Sequence, residues 1–197
     1  MKPTVKVLLV AVAAGVLGAA AGLWFNGPGP LLRSELGQRA LHEVLEASAP
    51  APPAGVPVAE RGGLVPSFSL PDLAGRNVSV PAAWSGRPVL VNLWASWCGP
   101  CIREMPELDR FATRQGATGV QVIGIALDER EAVLRFLEST PVGYPILLDT
   151  PGPGDAGVRL GNPSGVLPYT ALIDARGRLV KEKIGPFEAG EVEAWLD

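Results

Sequence analysis

The sequence predicts an α/β domain, a mixed central sheet flanked by helices, with an added N-terminal β-hairpin and a single N-terminal transmembrane anchor. Three observations lead there. The runs PVLVNLW and GVQVIGIAL are almost wholly apolar and rich in valine and isoleucine, the pattern of strands buried on both faces. Each is followed by a segment whose apolar residues recur at helical spacing. Near the C-terminus, YTALIDARGRLVKEKIG reads as strand, Asp-Ala-Arg-Gly turn, strand, which closes the sheet with an antiparallel hairpin. A content of 47% hydrophobic and 19% charged residues with net charge −3 suits one folded domain plus extra chain. No dense Lys/Arg run offers the electrostatic footprint that nucleic-acid binding requires.

Taken in order, residues 1–27 hold Lys2 and Lys6 ahead of an uncharged, mostly apolar run from Val7 to Phe25. As a helix this run spans roughly 28 Å, close to the hydrocarbon thickness of a bilayer. With both lysines before it, the positive-inside rule leaves the N-terminus in the cytoplasm and exports the rest. The competing reading is a cleaved signal peptide, since Ala19-Ala20-Ala21 satisfies an A-x-A site. Apolarity continuing through Leu23, Trp24 and Phe25 favours an uncleaved anchor. Residues 28–63 read as an amphipathic helix, LLRSELGQRALHEVLEAS, and then a Pro- and Ala-rich spacer.

The domain proper is expected over residues 64–197. SFSL and RNVSV flank PDLAG as a hairpin. PVLVNLW is the first buried strand. A helix follows, with Pro100 in its first turn and Ile102, Met105, Leu108 and Phe111 as its apolar stripe. GVQVIGIAL, DEREAVLRFLEST and YPILLD read as strand, helix and strand. DAGVRLG reads as a brief helix, and EAGEVEAWL closes the chain as another.

Cys98 and Cys101 are the only cysteines, and they stand in ASWCGPCIREMPEL at the end of the first buried strand. A structural staple closing so short a loop would contribute ~2 kcal/mol, against ~4.7 for a long loop. A structural zinc site needs four ligands, and beyond the pair the chain offers one histidine, His42, across the spacer. A redox pair fits the placement. The helix N-terminus presents unpaired N–H groups and positive dipole to an anion at Cys98. The first cysteine of such a motif commonly has its pKa lowered from ~8.5 to ~7. Cys101, one turn further in, is then the resolving thiol in a two-step exchange with a substrate disulfide.

The W-C-G-P-C motif after PVLVNLWAS resembles the thioredoxin superfamily. VPSFSLPDLAGRNVSV, WSGRPVLVNLWASWCGPCIREMPEL and TALIDARGRLVKEKIG resemble its membrane-anchored TlpA/ResA-type thiol–disulfide oxidoreductases, over roughly Leu64 to Asp197. The resemblance implies a thioredoxin-like fold and an extracytoplasmic site on the bacterial inner membrane, in the periplasm where there is one. The alternative is a soluble periplasmic protein after signal cleavage. It further implies a role in keeping exported thiols reduced, often in cytochrome c maturation. The catalytic residues implied are Cys98, Cys101 and Glu104. Trp97, Gly99, Pro100, Leu167 and Pro168 are the implied substrate-binding surface, with Pro168 at the cis-proline position facing the cysteines. By spacing alone Pro168 reads as an ordinary turn proline.

Gly99-Pro100 is the dipeptide of reducing thioredoxins, which favours a reductase over an exported oxidase or isomerase. A non-catalytic binding module is a further alternative. A related peroxidase is disfavoured because no P-x-x-x-T-x-x-C loop is present. Thioredoxins proper carry a buried Asp where this chain has Asn92, and a lysine where it has Gly124. Both departures shift proton handling onto Glu104. The alternative for Glu104 is a first-turn acid in solvent that complements the helix dipole. Trp97 is expected over the active-site surface and Trp94 in the core. No cofactor or metal is expected beyond the cysteine pair itself. The implied partners are exported disulfide-bonded proteins, the membrane through residues 7–25, and a separate membrane or periplasmic electron donor, because two cysteines allow no internal relay.

Overall fold

The computed structural model describes Gly29, Leu32 and residues 34–196, so the anchor expected over residues 7–25 lies outside the described residues. Among those described, no helix is long and apolar enough to cross a membrane. The chain divides into two units between Glu43 and Val44, inside helix α1 (Glu35–Ser48), and the second unit carries everything that follows.

Strands β1 (Phe68–Pro71) and β2 (Asn77–Val80) form the expected hairpin as a separate two-stranded sheet. The Asp72 carboxylate closes its turn by accepting from the N–H groups of Ala74 and Arg76. A single bridge, Asp72 to Leu147, ties the hairpin to the edge of the main sheet.

That sheet has five strands in the order β5-β4-β3-β6-β7. Strand β3 (Val89–Trp94) is buried at every position, as its unbroken apolar run requires. Strand β4 (Gln121–Leu127) runs parallel to it, and β5 (Ile146–Asp149) runs parallel to β4. Strands β6 (Tyr169–Ile173) and β7 (Leu179–Ile184) pair antiparallel and complete the sheet. Helix α2 (Gly99–Gln115) follows β3 and α3 (Arg130–Ser139) follows β4. The one-turn α4 (Ala156–Arg159) precedes β6, and α5 (Glu191–Leu196) ends the described chain.

Two features depart from the sequence-based expectation. On α2 the buried face is Cys101, Glu104, Met105, Glu107, Leu108 and Phe111, while Ile102 is half-exposed. The stripe is therefore rotated, and a carboxylate takes the inward place assigned to isoleucine. The spacer also joins the folded unit before Leu64. Ala59 is buried and its N–H donates to Arg159 O, while Gly62 N–H donates to Leu179 O. The first of these bonds ties the spacer to α4, while the second, with Leu179 N–H donating to Gly63 O, pairs it with the first residue of β7 on that strand's otherwise open edge.

Candidate active site

The first buried strand ends at Trp94, and a tight turn places Cys98 at the N-cap of α2. Cys98 and Cys101 form a disulfide with Cα atoms 5.3 Å apart. The backbone N–H of Cys101 donates to Cys98 Sγ at 3.3 Å, so this sulfur occupies the acceptor position of a helix cap. Cys98 keeps a sliver of exposure, 5%, while Cys101 has none. Of the intervening residues, Gly99 faces solvent and Pro100 opens the helix without needing a donor of its own.

Trp94 is fully buried, as expected of a core residue, and Trp97 projects into solvent at 69% exposure. The Leu167–Pro168 peptide is cis, and Tyr169 directly after it pairs with Leu93, so Pro168 sits beside the end of β3 that leads to Cys98. Leu167 packs against the core cluster that contains both cysteines. Trp97 and Leu167 together line an apolar groove of about 370 Å³, with Val158, Pro163 and the spacer residues Pro50 and Pro52 on its other walls. The spacer thus forms one wall of the surface next to the disulfide.

Glu104 lies one turn beyond Cys101 and is fully buried, which removes the solvent-facing alternative. Its Oε1 accepts from Asn92 Nδ2 at 2.8 Å, and its Oε2 accepts from the Phe187 backbone N–H at 2.8 Å. Burial pushes its pKa up to about 7, against the Phe187 and Asn92 hydrogen bonds, which favour the charged form. A buried carboxyl poised there exchanges a proton readily near neutrality. Asn92 Nδ2 also donates to Thr170 Oγ1, while Asn92 Oδ1 has no hydrogen-bond partner among the described residues. Rotation of that amide would give a protonated Glu104 an acceptor.

Strand register puts Ile146, Gly124, Asn92, Thr170 and Lys183 in one row across the five strands, hence on one face. A side chain at Gly124 has no room. Its Cβ would lie 2.7 Å from Ile146 Cδ1, 3.1 Å from Trp94 Nε1 and 3.2 Å from Tyr144 Cε2. Sequence reasoning identified Asn92 and Gly124 but missed Thr170, the Phe187 N–H and Lys183. The missed signal was the strand VKEKI, whose charges fall on both faces of a strand with no room for all of them in solvent.

A Redoxin family model matches residues 60–196. The thiol-disulfide oxidoreductase ResA of Bacillus cereus is 31% identical over 138 residues, covering 68% of this chain and 76% of the relative. Sporulation thiol-disulfide oxidoreductase A of Bacillus subtilis is 25% identical over 150 residues, covering 74% and 87%. Among solved structures, a protein assigned as thiol:disulfide interchange protein DsbE from Chlorobium tepidum superposes with TM-score 0.61 at 26% identity, covering 70% of this chain and 96% of that one. The chain belongs to the Redoxin family, as a ResA-type member of the thioredoxin superfamily.

Proposed function

We propose that this thiol–disulfide oxidoreductase is an anchored reductant of exported proteins, with Cys98 as nucleophile, Cys101 as resolving thiol and Glu104 as proton acceptor. The observation that carries the assignment is the cap geometry: the sulfur of Cys98 receives a helix N–H, which stabilises a thiolate once the disulfide is reduced. Cys101 is sealed behind it and meets only what Cys98 has already bound.

In the reaction, Cys98 thiolate attacks one sulfur of a substrate disulfide, and the other sulfur leaves as a thiolate that takes a proton from solvent. Cys101 then passes its proton to the Glu104 carboxylate and attacks Cys98 Sγ. The bond from Cys98 to substrate breaks and the second substrate thiolate leaves, taking up a proton. Two electrons have moved from the pair to the substrate, and Cys98–Cys101 is oxidised. The pair is itself the redox centre and needs no bound cofactor. Extended substrate backbone is held along Leu167 and Pro168, and the groove between Trp97 and Leu167 takes an apolar side chain next to the substrate cysteine. Gly99 and Pro100 keep the approach to Cys98 unobstructed.

The Val7–Phe25 segment, with lysines only on its N-terminal side, supports an anchor in the bacterial cytoplasmic membrane with the domain outside. Reoxidation of cytochrome c thiols is one hazard such a reductant opposes. A separate membrane or periplasmic dithiol protein returns the pair to its reduced state.

The test is direct. Cys98→Ser should abolish reduction of a disulfide-bonded protein, and Cys101→Ala should accumulate mixed disulfides through Cys98 in the cell envelope. A Cys98→Ser protein that reduces at the wild-type rate overturns the mechanism. A reduction potential near about −270 mV marks a reductant, and one well above about −200 mV an oxidant.

A further inference from the structure

Thioredoxins proper hold a buried lysine at the position of Gly124, and here Ile146, Trp94 and Tyr144 fill that space. A buried lysine is nevertheless present on the same row of the sheet, two strands from Asn92 on the opposite side. Lys183 pairs with Thr170, which pairs with Asn92. It is 2% exposed, a rare state for a lysine. Its ammonium lies 3.1 Å from Glu191 Oε1 and 5.0 Å from the centre of the Phe187 ring. The backbone N–H of Phe187 is the group that donates to Glu104. Lys183 and Glu104 therefore both contact Phe187, one at its ring and the other at its backbone N–H.

We infer that Lys183 is a positioning residue for Glu104, a relocated buried cation that keeps the carboxylate ionised when Cys101 must give up its proton. The inference rests on the reading of Glu104 as the proton acceptor of the resolving step. The groups facing Glu104 are Cys101 on its own helix, Asn92 on β3, Thr170 on β6, Lys183 on β7, the Phe187 N–H after it, Glu191 on α5, and Tyr144 before β5. Of these, Lys183 favours the charged carboxylate and Glu191 opposes it. Glu107, next on α2, is engaged by Arg110 and by the Gly190 N–H. Without Lys183, Glu191 acts on Glu104 with no cation to offset it. Without Glu191, the ammonium acts on Glu104 undiluted. The two substitutions thus act in opposite directions, which loss of packing does not produce.

The experiment is a carboxyl ¹³C NMR titration of the full chain carrying labelled glutamate, with the Glu104 signal assigned by its loss in Glu104→Gln. The wild-type midpoint is expected near 7. Lys183→Met should raise it by about one unit, leaving about fivefold less carboxylate at neutral pH and slowing mixed-disulfide resolution in proportion. Lys183→Arg should restore both. Glu191→Gln, which retains an acceptor for the Glu188 N–H, should lower the midpoint. If Lys183→Met does not fold, Lys183→Arg and Glu191→Gln still decide, because a Glu191→Gln midpoint that stays or rises overturns the inference. So does an unmoved midpoint in a folded Lys183→Met. A resolution rate indifferent to Glu104→Gln overturns the underlying reading of Glu104 instead, whatever the midpoints do.

Discussion

The central sheet buries a carboxylate on each of its faces, and the two are held differently. Glu182, on the face of Tyr169, accepts from the Tyr169 hydroxyl at 2.7 Å and pairs with Arg61 at 3.2 Å. Burial, and then the charge of Glu182, hold the Tyr169 phenol well above its ordinary pKa. Glu104, under α2, is bonded by an amide and a backbone N–H, both neutral, and its nearest buried cation is shared with Glu191. Burial is nearly the same for the two, 7% and 0% exposed, so the partners make the difference. A carboxylate paired with a guanidinium and a phenol hydroxyl braces the fold. One held by neutral donors keeps its proton within reach of neutral pH, and it is the one beside the cysteines.

The sharpest way to break that contrast is Glu104→Gln. A neutral amide keeps the shape and an acceptor for Phe187, and the free Asn92 Oδ1 can turn to receive its NH₂. Loss of the proton acceptor should slow resolution about a hundredfold, within the usual range for general acid–base groups. Stability should move the other way. The folded pKa of Glu104, about 7, lies above its ordinary 4.5, so between these values the native state holds more protons than the unfolded. The wild type therefore carries a stabilising contribution below pH 4.5 that is lost as pH rises through 7, up to about 3 kcal/mol. Glu104→Gln should flatten this slope and be the more stable protein at pH 8, as read by urea midpoints at several pH values. A variant less stable than wild type at pH 8 would place Glu104 with Glu182 as a brace.

How visible each carboxylate was in the sequence follows from the same physics. The strands around them were legible because double-sided burial forces continuous apolar runs such as VLVNLW. Glu104 was found through the neighbouring cysteines, yet its inward aim was not, because apolarity selected Ile102 for the buried stripe. Spacing alone would have done better: Glu104, Met105 and Leu108 follow Cys101 at three, four and seven residues, the periodicity of one helical face. Glu182 and Lys183 were illegible. Adjacent residues on a strand point to opposite faces, and both being charged, the alternation of VKEKI gives no inward side. Arg61, the partner of Glu182, lies 121 residues away in a segment read as a spacer, and Glu191, the partner of Lys183, stands on the helix that follows the strand.

On the braced side, Glu182→Ala should cost about 2 kcal/mol, because it strips Tyr169 of its charged acceptor inside the core. The Tyr169 hydroxyl keeps Leu160 O at 2.9 Å, and Arg61 retains partial access to water, which holds the loss below that of a fully sealed pair. The urea midpoint should fall at every pH between 5 and 8, while resolution kinetics keep the wild-type pH profile. A shifted profile would show that the two faces of the sheet are electrostatically joined.

The smallest expected effect is Arg61→Ala. Its side chain is about a third exposed, 32%, against 5% for Glu182, so water can approach the carboxylate once the guanidinium is gone. Partly exposed pairs contribute roughly 0.2–1 kcal/mol, and the loss should fall in that range. The backbone bonds from Ala59 and Gly62 continue to hold the segment on the domain, so the groove wall at Pro50 and Pro52 should stay in place. Chemical denaturation measures the first expectation, and KM for a disulfide-bonded peptide measures the second. If KM rises severalfold while stability changes by less than about 1 kcal/mol, Arg61 is setting the spacer against the groove, and Glu182 then serves substrate binding as well as the fold.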